Sequence, residues 1–255
     1  MKVRVLGCHH TETQSSRLST LLIDDHIALD AGAITTTLTI AEQAKVTDVV
    51  ITHHHYDHTK DLLTLALGGV DSGQTVSVHS TQDVLDHLQN HLLDGSFYPK
   101  FTENPNPPRL RLVPLQLEQP KKIGAVQFTP FAVEHSVPAL GYLLSSDGGD
   151  DVFCTGDTGG GFAHILEKTK PTLLVTEVTF PNSQAEMAKL SKHMTPKLLE
   201  DELMQMVGTS SAPASILVIH MNSAAEPVIR EELKLVEEKL GIPITAAEEG
   251  MVLTV

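Results

Sequence analysis

The chain has little cysteine: two residues in 255, Cys8 and Cys154. They lie far apart without a second pair, so neither a disulfide framework nor a thiolate zinc site is indicated. No stretch approaches the roughly 18 apolar residues that a spanning helix needs. The opening run Met1-Lys2-Val3-Arg4-Val5-Leu6-Gly7 is too short for a signal peptide and reads as a first strand. Neither a repeat of solenoid length nor a low-complexity segment is present. Basic residues are also scarce, 18 Lys plus Arg against 32 Asp plus Glu for a net charge of −14, which repels a polyanion. These absences leave a soluble, cytoplasmic protein with no membrane partner and no long nucleic acid. A small anion drawn in by metal charge is acceptable. The apolar content of 41% supplies a large core, most simply one domain over residues 1–255, with two fused halves as the alternative.

Strand-like runs fall at residues 2–6, 19–23, 26–29, 49–52, 75–79, 110–115, 126–133, 141–145, 151–154, 172–176 and 215–219. Helical patterns fall at 34–44, 60–67, 81–93, 161–168, 196–207 and 226–240. The last two are the better marked, since Thr195-Pro196 supplies an N-cap followed by proline and Gly241 closes the final helix. The mixture predicts an α+β chain in which two β-sheets pack face to face with helices outside. Residues 94–108, with Gly95, Pro99, Pro105, Pro107 and Pro108, form the longest expected loop, and loops of that length are commonly functional.

Fourteen histidines give nitrogen ligands in place of thiolates. The densest stretch, His53-His54-His55-Tyr56-Asp57-His58, follows the β-rich run Thr47-Asp48-Val49-Val50-Ile51-Thr52 and therefore sits at a strand end. There the chain turns, so His53 and His55 can face one metal while Asp57 and His58 face a neighbouring one. Four more polar residues stand where apolar strands end: Asp30, His135, Asp157 and His220. Imidazoles and carboxylates in such numbers suit borderline cations. A second stretch pairs the strand-end Glu177 with His193, just ahead of the capped helix. That pair can orient and charge an imidazole so that it gives a proton to a departing oxygen.

The order Asp30, His53 to His58, His135, Asp157, His220 resembles that of the metallo-β-lactamase superfamily of hydrolases over essentially the whole chain. The resemblance implies an αββα four-layer sandwich. It also implies two divalent metal ions, zinc first with manganese or iron as alternatives. By the same resemblance His53, His55 and His135 hold one metal, Asp57, His58 and His220 hold the other, and Asp157 bridges them. Asp30 would orient the histidine loop without being a ligand. The runs Glu177-Val178-Thr179-Phe180-Pro181-Asn182 and Ser191-Lys192-His193-Met194-Thr195-Pro196 look like the phosphodiesterase branch. Within it they are closer to class II cyclic-nucleotide phosphodiesterases than to ribonuclease Z, although Tyr56 and Thr59-Lys60-Asp61 depart from the class II pattern.

The resemblance implies hydrolysis of a 3′,5′-cyclic nucleotide, cyclic AMP or cyclic GMP, to a 5′-nucleotide by a metal-bridging hydroxide. Asp57, Glu177 and His193 are the expected catalytic residues. Rival readings are a ribonuclease Z-like enzyme, a lactone, thioester or lactam hydrolase on the same scaffold, and a metal-binding sensor without turnover. His9, His10 and Arg17 are candidate contacts to a small phosphodiester, although the two histidines could merely cap their loop and Arg17 could lie at the surface. His87 and His91, four apart on one helix, read as a solvated face because no third ligand is evident. A homodimer is compatible with this reading.

Overall fold

Neighbouring residues of single strands enter different cores. Val49 and Ile51 pack into one apolar cluster while Val50 packs into another, and Leu174 faces away from the cluster that holds Leu173 and Val175. Such strands are covered on both faces, which is why their sequences run apolar without interruption. The computed structural model describes residues 1–69 and 73–255.

The first half of the chain supplies β1 (Lys2–Gly7), β2 (Thr20–Ile23), β3 (Ile27–Leu29), β4 (Asp48–Val50), β5 (Val76–Thr81) and β6 (Leu110–Leu115). The second half supplies β7 (Lys121–Ile123), β8 (Val126–Val133), β9 (Ala139–Ser146), β10 (Val152–Cys154), β11 (Leu173–Glu177), β12 (Ser215–Ile219), β13 (Ile244–Ala246) and β14 (Val252–Thr254). Two seven-stranded sheets result, ordered β14-β1-β2-β3-β4-β5-β6 and β13-β12-β11-β10-β9-β8-β7. In both, an antiparallel portion gives way to a parallel one, at β3 with β4 and at β10 with β11. The C-terminal strand returns to the first sheet, where Leu253 registers with Val3.

One core lies between the sheets and includes Val5, Phe128, Tyr142 and Leu217. A second packs the outer face of the first sheet against helices α1 (Ile34–Thr37), α4 (Asp61–Gly68) and α5 (Gln82–His87). A third packs the other outer face against α6 (Ala163–Thr169), α8 (Pro196–Met204) and α9 (Glu226–Leu240). This is the αββα sandwich, two mixed sheets with helices on the outside.

The expected helix over 34–44 is two single turns, α1 and α2 (Ile40–Gln43), because Thr39 starts the second with a capping box to Glu42. The β-branched run Thr35-Thr36-Thr37 weakens what precedes it. Helix α7 (Ala185–Ser191) escaped sequence reading because its Met187 and Leu190 face outward, leaving no apolar stripe to detect. The three-residue strands β7, β13 and β14 are too short to show a period. Residues 94–108 are irregular as expected, pinned where Phe101 enters the first outer core and its carbonyl accepts the Leu110 amide at 3.0 Å.

Candidate metal centre

The parallel strands end on one side of the sandwich, and the polar residues sit at or just beyond those ends. Asp30 follows β3, the histidine cluster follows β4, Asp157 follows β10, Glu177 closes β11 and His220 follows β12. Ligands commonly collect at this side of parallel sheets. Asp30 and His220 both have left-handed backbones, with φ of 61° and 60°, an uncommon conformation for residues other than glycine. Each kinks the chain as it leaves its strand. Gly156, at φ 61°, does the same before Asp157, where a Cβ would stand 2.8 Å from the Leu140 carbonyl oxygen.

Helix α3 (Tyr56–Thr59) is a single turn that carries Asp57 and His58. The structure gathers ligand atoms of His53, His55 and His135 within 4.8 Å of one another, and those of Asp57, His58, Asp157 and His220 likewise. His53 Nε2 lies 2.9 Å from His55 Nδ1, and His135 Nε2 lies 3.3 Å from the same atom. In the second group Asp157 Oδ2 stands 3.3 Å from the Nε2 atoms of both His58 and His220, and 3.7 Å from that of His53. Asp157 thus stands between the groups, where a shared ligand would have to be. Asp57 Oδ2 is 3.2 Å from His220 Nε2.

Most outward ring nitrogens are held by the protein, which fixes the inward ones. Asp30 Oδ2 accepts from His58 Nδ1 at 2.8 Å. The Thr52 amide and hydroxyl donate to Asp30 at 2.8 and 2.9 Å, and the hydroxyl oxygen meets His53 Nδ1 at 3.0 Å. His135 Nδ1 donates to the Lys192 carbonyl at 3.0 Å, and Thr179 Oγ1 pairs with His220 Nδ1 at 2.8 Å. These are the outer contacts that metal-binding histidines characteristically make.

The electrostatics fit a cation. Burial, reinforced by neighbouring imidazoles, lowers the pKa of His53, His55 and His135, so their lone pairs are free near neutrality. At His58 burial disfavours a charge, yet the surrounding Asp157, Asp30 and Asp57 hold its pKa well above the ordinary histidine value. Burial would raise Asp57 and Asp157, but the facing imidazoles keep both well below the usual carboxylate range. Positive charge is therefore favoured between Asp157 and the second group. The donor set, imidazoles with two carboxylates, is one that divalent zinc, manganese or iron accepts.

Beside the ligands, His193 Nδ1 donates to Glu177 Oε1 at 2.6 Å, and its ring stacks on His220 with centroids 5.4 Å apart. Glu177, fully buried, also accepts from the amides of Thr158, Thr179 and Met194 at 3.0, 3.1 and 3.2 Å. The Thr179 hydroxyl donates to it at 2.7 Å. Burial would lower the His193 pKa, but the Glu177 carboxylate and its hydrogen bond, with Asp157 beyond, raise it to about 9. Local folding explains the placement. Lys192 ends α7 with a left-handed φ of 56°, which turns its carbonyl to His135 and sends His193 to Glu177 before Thr195 caps α8.

Of the three expected substrate contacts, the structure brings His10 to the cluster, with its ring centroid 5.2 Å from that of His220. His9 turns to Glu226 and Glu249, at 3.0 and 3.3 Å. The Arg17 guanidinium folds back onto the carbonyls of Thr13, Gln14 and Ser16. Neither of these two faces the ligands, because carboxylates and carbonyls of their own surroundings already satisfy them. Thr52, Thr179 and the Lys192 carbonyl were not foreseen.

A family model described as a beta-lactamase superfamily domain matches residues 25–221. The chain belongs to that superfamily. No curated protein matches it closely in sequence. Among solved structures it is similar to the metallo-beta-lactamase fold protein YhfI from Bacillus subtilis, at 19% identity and a TM-score of 0.78, covering 99% of this chain and 98% of that one. It is also similar to yeast PDE1, at 16% identity and a TM-score of 0.81, covering 100% and 99%. Human tRNase Z, short form, matches at 18% identity and a TM-score of 0.71, covering 100% and 99%. These likenesses establish the metallo-β-lactamase fold.

Proposed function

We propose that the protein is a metal-dependent phosphodiesterase acting on a small phosphodiester, with 3′,5′-cyclic nucleotides as the favoured substrates. The observation that carries this reading is the Glu177–His193 pair, joined at 2.6 Å and stacked against the ligand cluster through His220. Breaking a phosphodiester expels an alkoxide, which needs a proton as it leaves. His193 is built to supply one: Glu177 keeps it charged and oriented through Nδ1, leaving Nε2 to face the departing oxygen. The names of two structural neighbours, PDE1 and tRNase Z, point the same way. The net charge of −14 favours a small substrate over a long nucleic acid.

His53, His55 and His135 would hold one divalent cation and Asp57, His58 and His220 a second, with Asp157 shared. Such cations supply Lewis acidity to the phosphoryl oxygens and a nucleophilic water. The chain does the positioning. Asp30 and Thr52 lock His58 and His53, Thr179 ties His220 to Glu177, and Asp57 fixes its side of the second group. Preorganised groups of this kind lower the barrier without having to move during reaction.

The test is a substrate panel on metal-replete protein: cyclic AMP, cyclic GMP, an aryl phosphodiester, a lactone and a thioester. Turnover of the cyclic nucleotides above the others supports the proposal. Turnover of the lactone or thioester with none on any phosphodiester overturns it.

A further inference from the structure

Behind the ligand loop lies a second concavity, a cleft of about 590 Å³, within the size range of small-molecule sites. It shares a wall with the metal centre. Along the loop His53 and His55 turn to the ligand cluster while His54 turns to the cleft, and α3 gives Asp57 and His58 to one side and Tyr56, Thr59 and Lys60 to the other. Six of the cleft's twelve lining residues carry rings. His54 stacks on His87 with centroids 3.8 Å apart and an interplanar angle of 19°, and Phe97 and Tyr98 reach in from the long irregular loop.

The geometry of the stacked histidines speaks against a third metal. Rings lying face to face cannot aim lone pairs at a common ion, and His54, His87 and His91 are not among the described groups whose ligand atoms converge. Two observations instead point to a flat ring as the occupant. Helix α5 widens into a π turn over Leu88–Leu92, which lines this cleft with Leu88, His91 and Leu92, and such turns recur at functional sites. At the rim, Tyr56 and Phe97 are 69% and 75% exposed, and among the described residues neither is stacked on another ring. Among the polar groups nearby, Lys60 pairs with Glu12 at 3.0 Å and the Thr59 hydroxyl donates to the His55 carbonyl at 2.9 Å, while His54 Nδ1 is buried without a hydrogen-bond partner among the described residues. The cleft therefore offers aromatic and imidazole rings for stacking beside one unpartnered ring nitrogen, and its lysine is already paired.

We propose that this cleft receives the nucleobase, or an equivalent planar heteroaromatic group, of a phosphodiester whose phosphate lies at the metal centre. The inference rests on the phosphodiesterase reading and specifies its substrate. Because every base has a π face, stacking tolerates different bases, and the cleft binds adenosine and guanosine with similar affinity.

The three tyrosines make the test direct. Tyr56 and Tyr98 line the cleft, whereas Tyr142 is fully buried between the sheets and donates to the Ile51 carbonyl at 2.8 Å. Protein labelled with 3-fluorotyrosine, its three ¹⁹F signals assigned by single Tyr→Phe variants, is titrated with adenosine, which has no phosphate to anchor it at the metals. The proposal expects the Tyr56 and Tyr98 signals to move while that of Tyr142 stays, and Phe97→Ala to weaken binding about tenfold or more. Signals unmoved by adenosine in a preparation that hydrolyses phosphodiesters overturn the base site and leave the phosphodiesterase reading intact. Signals that move with adenosine in a preparation inactive on phosphodiesters keep the cleft as a heteroaromatic site and remove that reading. If the signals respond to protein concentration instead, a second copy of the chain occupies the cleft and the proposal fails.

Discussion

Replacing Glu177 with glutamine keeps the shape of the buried side chain and changes its hydrogen-bonding capacity. Oε2 accepts from the Thr179 hydroxyl and the amides of Thr179 and Met194, while Oε1 accepts from His193 Nδ1 and the Thr158 amide. An amide has one accepting oxygen and two N–H donors. The three-donor side claims the oxygen, so the new NH2 faces Thr158 and His193. His193 then accepts at Nδ1 and is neutral, carrying its proton only on Nε2, which makes it a far weaker acid. The orphaned Thr158 amide costs about 1–3 kcal/mol of stability, tolerable for a core of this size. General-acid assistance is worth about 10²–10⁴ in rate, and kcat on cyclic AMP should fall by that factor. On a bis(4-nitrophenyl) phosphodiester, whose leaving group departs without a proton, the loss should stay within about tenfold. The assay is kcat on both substrates with metal content measured in each preparation. Equal losses on both at full metal content would refute the proton-donor role.

Three other outcomes follow from the same geometry. In metal-stripped protein, His193 should keep its proton up to about pH 9 by NMR titration; a raised folded pKa gives stability that is complete below about 6.5 and lost as pH rises through about 9, so the urea midpoint should drop across that window and Glu177→Gln should flatten the drop. Thr179→Val unties His220 Nδ1 from Glu177 and should weaken metal affinity about 10–100-fold in a chelator competition, with the fold retained by circular dichroism; unchanged affinity would count against the Thr179 link. Gly156→Ala forces a Cβ into the left-handed region and to within 3.0 Å of Thr52 Cβ, which should cost about 2 kcal/mol or more by urea unfolding and weaken metal binding with it, since Thr52 holds both Asp30 and His53.

What the sequence disclosed and what it concealed differ in physical kind. Asp30, His135, Asp157 and His220 could be found because a charged or imidazole side chain directly after an apolar strand is conspicuous, and strand ends are where a sheet of this type exposes its chemistry. Glu177 was legible for the same reason, and His193 because it stands just ahead of the Thr195-Pro196 cap that marks the start of the following helix. Thr52 and Thr179 were not, since a hydroxyl beside a strand end is as ordinary in a silent turn as in a relay. The Lys192 carbonyl has no side-chain signature at all. His9 and Arg17 were drawn to the site because, like His10, they lie in the polar loop that follows the first strand. What decided their direction was Glu226 and Glu249, more than two hundred residues away, together with the Arg17 loop's own carbonyls. The cleft of His54, His87 and Phe97 likewise joins three segments whose meeting depends on the packing of α5 against the first sheet.

The central claim is that seven side chains form two adjoining metal sites that share Asp157 and carry the hydrolysis. It is tested most directly by counting metal per chain, by plasma mass spectrometry, as chelator-stripped protein is reloaded with zinc or manganese, with phosphodiester turnover measured at each step in the wild type and in Asp157→Asn. The account predicts that the wild type takes up two ions per chain and that turnover rises with the second, while Asp157→Asn loses occupancy and activity together. Full turnover with one ion per chain, or with none, would contradict it.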